Sequence, residues 1–216
     1  MKDNIKKLTL LMIITVIATF IVAATVMADP PGNLRGQYAA TGSSTCLIAV
    51  CGFEPNYVTN CNKGDCGIVQ SSTSESVFTF ERDGTGMVSG TQQSVINWNP
   101  AFPSPYTGIQ TIYWKFNYYL GPDGTINITE QPGTFISTWV SGPSAPNAYT
   151  INGLTRTGHI SPDGKTIVLT VGTAAGGLPV VMTLSPNIVA CPPPPTTLGS
   201  PQMICTGTAV LTWQHE

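Results

Sequence analysis

Residues 111–131, TIYWKFNYYLGPDGTINITEQ, constrain the fold more than any other stretch of this chain. Apolar side chains occupy alternate positions from Ile112 to Leu120, which is the two-residue period of a strand with one apolar face. The segment GPDG at 121–124 follows, and proline, aspartate and glycine each suit a particular position of a tight turn. The alternation then resumes over 125–130. This pattern predicts a complete β-hairpin.

Two further Asp-Gly turns, at 82–85 and 162–165, separate other alternating segments. We expect a bulge at Gly42-Ser43, a kink at Gly153, and apolar cover on both faces of residues 133–141. The segments 51–74 and 97–108 are predicted loops, since the first lacks periodicity and the second holds three prolines. The other predicted strands cover residues 35–50, 76–81, 86–96, 133–141, 148–160, 166–171, 178–184 and 203–214.

No stretch after residue 28 has helical periodicity, and short strands joined by turns predict an all-β fold. About ten strands in one domain must protect their edges, and closure into a barrel removes the edges altogether. We therefore predict an antiparallel up-and-down meander that closes into a barrel. A sandwich of two sheets is the alternative.

The N-terminal segment from Met1 to Ala28 is a predicted signal peptide. Three lysines among the first seven residues precede an uncharged apolar run over 8–26, and small or apolar residues stand before the expected cleavage after Ala28. An uncleaved signal anchor is the alternative, because the run could nearly span a bilayer. Residues 29–216 then form a single β-barrel domain that is secreted or periplasmic and does not contact the membrane after cleavage.

Charged residues make up 9% of the chain, and the formal net charge is -2. The usual charged share is about a quarter, so the polar surface must come mainly from uncharged side chains such as threonine and serine. A basic patch for nucleic acid is absent, and so is a basic stripe for anionic lipid. These observations exclude nucleic acid as a predicted partner.

Six cysteines follow the predicted signal peptide. Export and an even count favour disulfides over a metal site, and the x4 spacing within the first two pairs is wider than the usual zinc knuckle. We expect no metal. The cysteines are Cys46, Cys51, Cys61, Cys66, Cys191 and Cys205.

The pairing of these cysteines follows from barrel closure. Cys46 lies in the first predicted strand and Cys205 in the last, and closing a meander brings those strands side by side. We therefore predict a Cys46–Cys205 bridge. Antiparallel pairing of the same strands suggests Cys51–Cys191, and the intervening turn suggests Cys61–Cys66.

Signals of catalysis are weak. The nucleophile-elbow, zinc-protease and phosphate-loop motifs are absent, and so is Cys-x-x-Cys. The two histidines, His159 and His215, lie beside a turn and next to the C-terminus. The three aspartates of the Asp-Gly turns read as turn caps. We predict no catalytic residue and no cofactor.

Large aromatic residues are the best functional lead. Rings in strands usually fill a core, but an eight-stranded barrel can also hold one small ligand. In that case the rings would line a partly open interior. The predicted ligand-binding residues are Trp114, Phe116, Tyr118 and Trp139.

Several short motifs carry a family resemblance. They are GQY at 36–38, TGS at 41–43, TCL at 45–47, GF at 52–53, DGTG at 83–86, PDGTI at 122–126 and IC at 204–205. The set resembles small exported bacterial proteins that have no assigned activity. More distantly it is similar to lipocalin and avidin barrels, since GQY lies where lipocalins carry Gly-x-Trp. The resemblance implies a lipocalin/avidin-like barrel, and it transfers no ligand-binding residue.

The function expected from the sequence is a secreted or periplasmic binding module for a small apolar or aromatic ligand. The first alternative is a structural or surface-interaction protein without a pocket, acting through the loops at 51–74 and 97–108. The second alternative is a barrel enzyme of the isomerase or cyclase kind. The sequence does not identify a protein partner.

Overall fold

The computed structural model describes residues 34–49, 52–53, 56, 59, 67–97, 105–171, 180–185 and 201–214. The predicted signal peptide, Met1 to Ala28, lies outside these residues. So do Cys51, Cys61, Cys66 and Cys191, and with them the two pairings suggested for them. Within the described residues, no helix is long and apolar enough to cross a membrane.

The described residues form eleven strands in one sheet, and every pairing is antiparallel. The all-β prediction is therefore confirmed. The strands are β1 (Gly36–Ala49), β2 (Gly67–Phe80), β3 (Thr85–Ile96), β4 (Tyr106–Leu120), β5 (Thr125–Glu130), β6 (Phe135–Trp139), β7 (Ala148–Asn152), β8 (Thr155–Ile160), β9 (Thr166–Val171), β10 (Val181–Ser185) and β11 (Gln202–Trp213).

The sheet closes on itself. Strand β1 pairs with β2 on one side and with β11 on the other, so the order β1-β2-β3-β4-β5-β8-β9-β11 returns to its start. Closure leaves none of these strands with a free edge along its paired length. The predicted barrel is confirmed in preference to the sandwich.

One side of the barrel wall is built in two tiers. Strand β4 pairs with β5 through Phe116–Leu120 and with β6 through Gln110–Tyr113. Strand β11 likewise pairs with β9 through Gly207–Thr212 and with β10 through Gln202–Ile204. We call β5, β8 and β9 the first tier, and β6, β7 and β10 the second tier. The long strands β1, β2, β3, β4 and β11 are common to both.

The first and last strands are joined by a disulfide between Cys46 and Cys205. These residues are direct partners in the β1–β11 pairing, and both are buried. The predicted bridge is confirmed. It lies across the seam where the barrel closes.

The three Asp-Gly turns lie at the same end of the barrel, beyond the first tier. In each turn the aspartate, Asp83, Asp123 or Asp163, accepts a hydrogen bond from the backbone N–H two residues ahead, at 2.9–3.1 Å. Hydrogen bonds from the side-chain hydroxyls of Thr85, Thr125 and Ser161, and after them those from the backbone N–H groups, lower the pKa of the three carboxyls. The predicted capping role is confirmed, and it accounts for all three aspartates.

The predicted loop at 51–74 is wrong over residues 67–74, because β2 begins at Gly67 rather than at Ser76. The inward side chains there include Gln70, Ser72 and Ser74, so apolar and polar residues do not alternate visibly. Strand β4 likewise begins at Tyr106, inside the second predicted loop. In both places the pairing with neighbouring strands determines the strand conformation, because the local sequence lacks the apolar/polar alternation that would predict a strand.

The predicted bulge at Gly42-Ser43 is absent, since β1 pairs with β2 and β11 without a skipped residue. Glycine instead permits a close approach. A Cβ at Gly42 would lie 2.9 Å from the Thr208 carbonyl oxygen and 3.2 Å from Ser74 Oγ.

Two other local predictions need correction. Residues 148–160 form two strands in different tiers, separated at Gly153, whose φ of 92° suits glycine. The outer face of β6 is open rather than covered, and Ile136 on it is 45% exposed. No described element packs on the outer face of the second tier to cover that face.

Candidate functional site

The four aromatic residues predicted to bind a ligand occupy two different parts of the barrel. Trp114, Phe116 and Tyr118 point inward from β4, and the first two are completely buried. Trp139 is buried in the second tier, where its ring centroid lies 6.2 Å from that of Tyr106. The fold therefore brings three of the four together.

An aromatic cluster fills the first-tier end of the barrel. Its ring centroids are 5.2–6.3 Å apart, mostly in edge-to-face or tilted arrangements that ring quadrupoles favour. We define the aromatic cluster as Tyr38, Phe78, Phe80, Trp114, Phe116 and Tyr118.

Two hydroxyls close this end of the barrel. Tyr38 Oη donates to the Gly164 carbonyl oxygen at 2.7 Å. Tyr118 Oη lies 2.9 Å from the Leu34 carbonyl oxygen and 2.8 Å from that of Glu81, which share its one proton. Burial raises the pKa of Tyr118 to about 12. Tyr118 therefore closes the barrel end as a neutral phenol.

Arg156 reaches this cluster from the opposite wall. Its register partners are Ile128 and Val171, both buried, so its side chain points inward from β8. The guanidinium carbon lies 5.7 Å from the Phe78 ring centroid and 5.6 Å from that of Trp114. Because the two rings are nearly perpendicular, at 87°, the cation sits in the corner between them.

Two buried N–H groups in this corner have no acceptor. Arg156 Nε and Trp114 Nε1 are both inaccessible to solvent and make no hydrogen bond within the described residues, and the hydroxyl of Thr155 is also unpaired. Desolvation lowers the pKa of Arg156 to about 10, so the guanidinium is still charged at neutral pH. An unpaired buried donor costs about 1–3 kcal/mol of stability. An acceptor placed in this corner would therefore remove that cost.

The junction between the two tiers is held by Glu130, whose side chain is 3% exposed. Its Oε2 accepts hydrogen bonds from the backbone N–H groups of Gly153 at 3.0 Å and Leu154 at 3.2 Å, and its Oε1 accepts a longer one from Phe135 at 3.4 Å. Desolvation raises the pKa of this carboxyl. Since the wall occupies both oxygens, Glu130 serves the architecture rather than acid–base chemistry.

A network of buried polar side chains fills the second-tier end. The side-chain amides of Gln70, Gln92 and Gln110 all donate to Ser94 Oγ, at 2.9–3.2 Å. Gln110 Oε1 in turn accepts from Ser137 Oγ at 2.6 Å and from the hydroxyl of Tyr149 at 2.7 Å. This network was not predicted from the sequence. Its signal was a run of Gln and Ser at every second position, which resembles an exposed face.

Two grooves formed by described residues lie on the outside of the barrel. They measure about 700 Å³ and about 570 Å³ and are lined mainly by outward threonine and serine side chains of β1, β2 and β11. Neither includes Arg156 or the aromatic cluster. The described residues contain no cluster of metal-ligating side chains, and His159 is exposed on the outer face.

No family model matches this chain, and no curated protein matches it. Among solved structures, it shows a faint similarity to the enduracididine biosynthesis enzyme MppR, complexed with the condensation product of pyruvate and imidazole 4-carboxaldehyde. The identity is 7%, the match covers 83% of this chain and 88% of that chain, and the TM-score is 0.14. A similarity at this level supports no inference about fold or activity.

Proposed function

We propose that this protein is an exported binding module that holds a small ligand with an apolar or aromatic body inside its barrel. The observation that carries the proposal is the corner formed by Arg156, Trp114 and Phe78. There, two buried N–H donors without acceptors adjoin the faces of two aromatic rings. A ligand with one acceptor group would satisfy the donors, and its apolar body would contact the rings.

The level of the barrel next to this corner is lined by small side chains. Gly42, Ser74, Ser76 and Gly90 occupy inward positions between the aromatic cluster and the polar network, and Gly42 and Ser74 also border the outer groove of about 570 Å³. Arg156 itself is only partly buried, whereas Trp114 is completely buried. A small ligand at this level would have few bulky side chains to displace.

Export is supported by two features. The N-terminal segment has the pattern of a signal peptide, and the Cys46–Cys205 disulfide suits an oxidising compartment. We expect the exported protein to have the mass of a chain that begins at Asp29, after cleavage behind Ala28. A mass that includes residues 1–28 would instead make it a membrane-anchored protein.

The ligand proposal is tested with the neutral fluorescent probe N-phenyl-1-naphthylamine. We expect the probe to bind and quench tryptophan emission, and Trp114→Ala to weaken its binding. Trp213→Phe serves as the control, because Trp213 lies outside the aromatic cluster and is only partly buried. The ligand-carrier function is rejected if the wild-type protein binds neither this probe nor the smaller aromatic compounds benzoate and benzamide.

A surface-interaction protein without an internal ligand is the second candidate. It is favoured by the mutual packing of Phe78, Trp114 and Phe116, whose rings are 5.4–6.0 Å apart and completely or almost completely buried. In this alternative the rings are only a core. The same titration separates the two candidates.

A further inference from the structure

We infer that the ligand carries a carboxylate or a similar planar anionic group, which the Arg156 guanidinium and the Trp114 indole N–H bind together. This inference rests on the proposed function and names the chemical class of its ligand. Three observations lead to it: the way the guanidinium is held, its lack of a counter-ion, and the second donor beside it.

The guanidinium is held without use of its hydrogen-bond donors. Its neighbours Phe78 and Trp114 attract the cation through their π faces, at 5.7 and 5.6 Å from the ring centroids. The Arg156 side chain makes no hydrogen bond within the described residues, and its Nε is buried and unpaired. The planar fork of donors, which matches a carboxylate in a bidentate manner, is therefore available.

The positive charge of Arg156 has no counter-ion among the described residues. The lowered pKa of Arg156 has desolvation as its cause, with no contribution from a carboxylate. Glu130 follows Arg156's register partner Ile128 by two positions and points to the same face. Its oxygens are nevertheless engaged by the backbone N–H groups of Phe135, Gly153 and Leu154. A partly buried cation without a counter-ion favours an anion over a neutral acceptor.

The second hydrogen-bond donor of the site is the indole N–H of Trp114. Trp114 Nε1 can only donate, is completely buried and has no partner. Trp114 lies where β4 passes from its pairing with β5 to its pairing with β6, and Arg156 lies at the β8 end nearest the second tier. Both residues therefore lie at the junction of the tiers, and we expect a carboxylate with two oxygens to accept from both donors there.

The inference is tested with benzoate and benzamide, which have nearly the same shape and differ in charge. Binding to the wild-type protein is measured by calorimetry at pH 7 and constant ionic strength, and the indole N–H resonance of Trp114 is followed by NMR. We expect benzoate to bind about ten- to a hundredfold more tightly than benzamide, as expected for a charge-assisted hydrogen bond. We also expect benzoate to shift the Trp114 indole resonance.

Substitutions of Arg156 test whether this residue causes the preference for benzoate over benzamide. Arg156→Met should remove the preference for benzoate, Arg156→Lys should restore part of it, and the exposed Arg82→Met should leave it unchanged. Circular dichroism confirms that each variant is folded. If Arg156→Met does not fold, the anion inference is still tested by comparing benzoate with benzamide on the wild-type protein and by the Trp114 indole resonance.

Three other outcomes are possible, and each would contradict a different claim. Equal affinities for benzoate and benzamide, or binding of the neutral naphthylamine probe alone, would overturn the anion inference and leave the proposed function standing. A benzoate preference that survives in Arg156→Met would overturn the assignment to this residue. Failure of all three compounds to bind would reject the proposed function itself.

Discussion

At the scale of single residues, Glu130 couples the stability of the wall to pH. Its folded-state pKa is raised by desolvation, so the folded protein favours the protonated carboxyl. A raised pKa gives a contribution that is present at low pH and is lost as pH rises through the folded-state value. We expect the free energy of unfolding to fall between pH 4 and pH 7 more steeply in the wild type than in Glu130→Gln.

Urea denaturation across this pH range measures the difference. The matched control is Glu75→Gln, an exposed carboxylate on the outer face of β2. Glu130→Ala should lose about 3 kcal/mol at pH 4, because buried N–H groups of the wall lose their acceptor. The loss should become smaller as pH rises, since the wild type then loses the pH-dependent contribution of Glu130. Parallel pH profiles for wild type and Glu130→Gln would mean that Glu130 does not titrate in this range.

A second prediction at this scale concerns Gly108. A Cβ at this position would lie 2.6 Å from the Ser141 carbonyl oxygen and 2.6 Å from the Trp139 ring. We expect Gly108→Ala to lower the free energy of unfolding by about 1–3 kcal/mol, as for overpacked cores. In Gly67→Ala the new Cβ would meet Leu47 at 3.4 Å, an ordinary contact, so this control should change stability little. Equal effects of the two substitutions would contradict the close approach at Gly108.

At the scale of elements, the polar network ties β2, β3, β4, β6 and β7 together in the second-tier end. Ser94→Ala removes the acceptor shared by three glutamine amides and should cost about 1–3 kcal/mol. Combined with Gln110→Leu, the loss should be smaller than the sum by at least about 0.5 kcal/mol, because both residues belong to one network. Equilibrium denaturation of the two single variants and the double variant gives this coupling. The exposed Ser89→Ala on β3 is the control, and strict additivity would argue against a connected network.

At the scale of the whole molecule, the Cys46–Cys205 disulfide stabilises a closure that strand pairing already makes. The cysteines are 159 residues apart in the chain, and the chain-entropy model assigns roughly 5 kcal/mol to a loop of that size, with less expected in practice. We expect Cys46→Ala/Cys205→Ala to keep the β circular-dichroism spectrum, since twelve register pairs still join β1 and β11. Its melting temperature should be clearly lower.

Non-reducing peptide mapping identifies the bond directly in the wild-type protein. An unchanged melting temperature in the double variant would mean that the bridge does not constrain the unfolded chain. Loss of the β spectrum would mean that pairing of β1 with β11 depends on the bridge.

Four features could be predicted from the sequence alone, namely the all-β class, the hairpin at 111–131, the three turns and the Cys46–Cys205 bridge. These features depend on local chemistry or on one topological rule. A two-residue period identifies the inward face, Asp-Gly identifies a turn, and closure of a meander places its first and last strands together.

The tertiary structure alone decided how the wall divides into tiers and which side chains meet inside it. A two-residue period does not say which strand will pair with which, so the division of β4 between β5 and β6 was not predictable. Inward Gln and Ser carry the same pattern as a solvated face, so the start of β2 was missed as well. Arg156 and Trp114 are 42 positions apart in the sequence. Only the closed barrel places the charge of one against the ring of the other, because such contacts depend on the curvature of the sheet rather than on local preference.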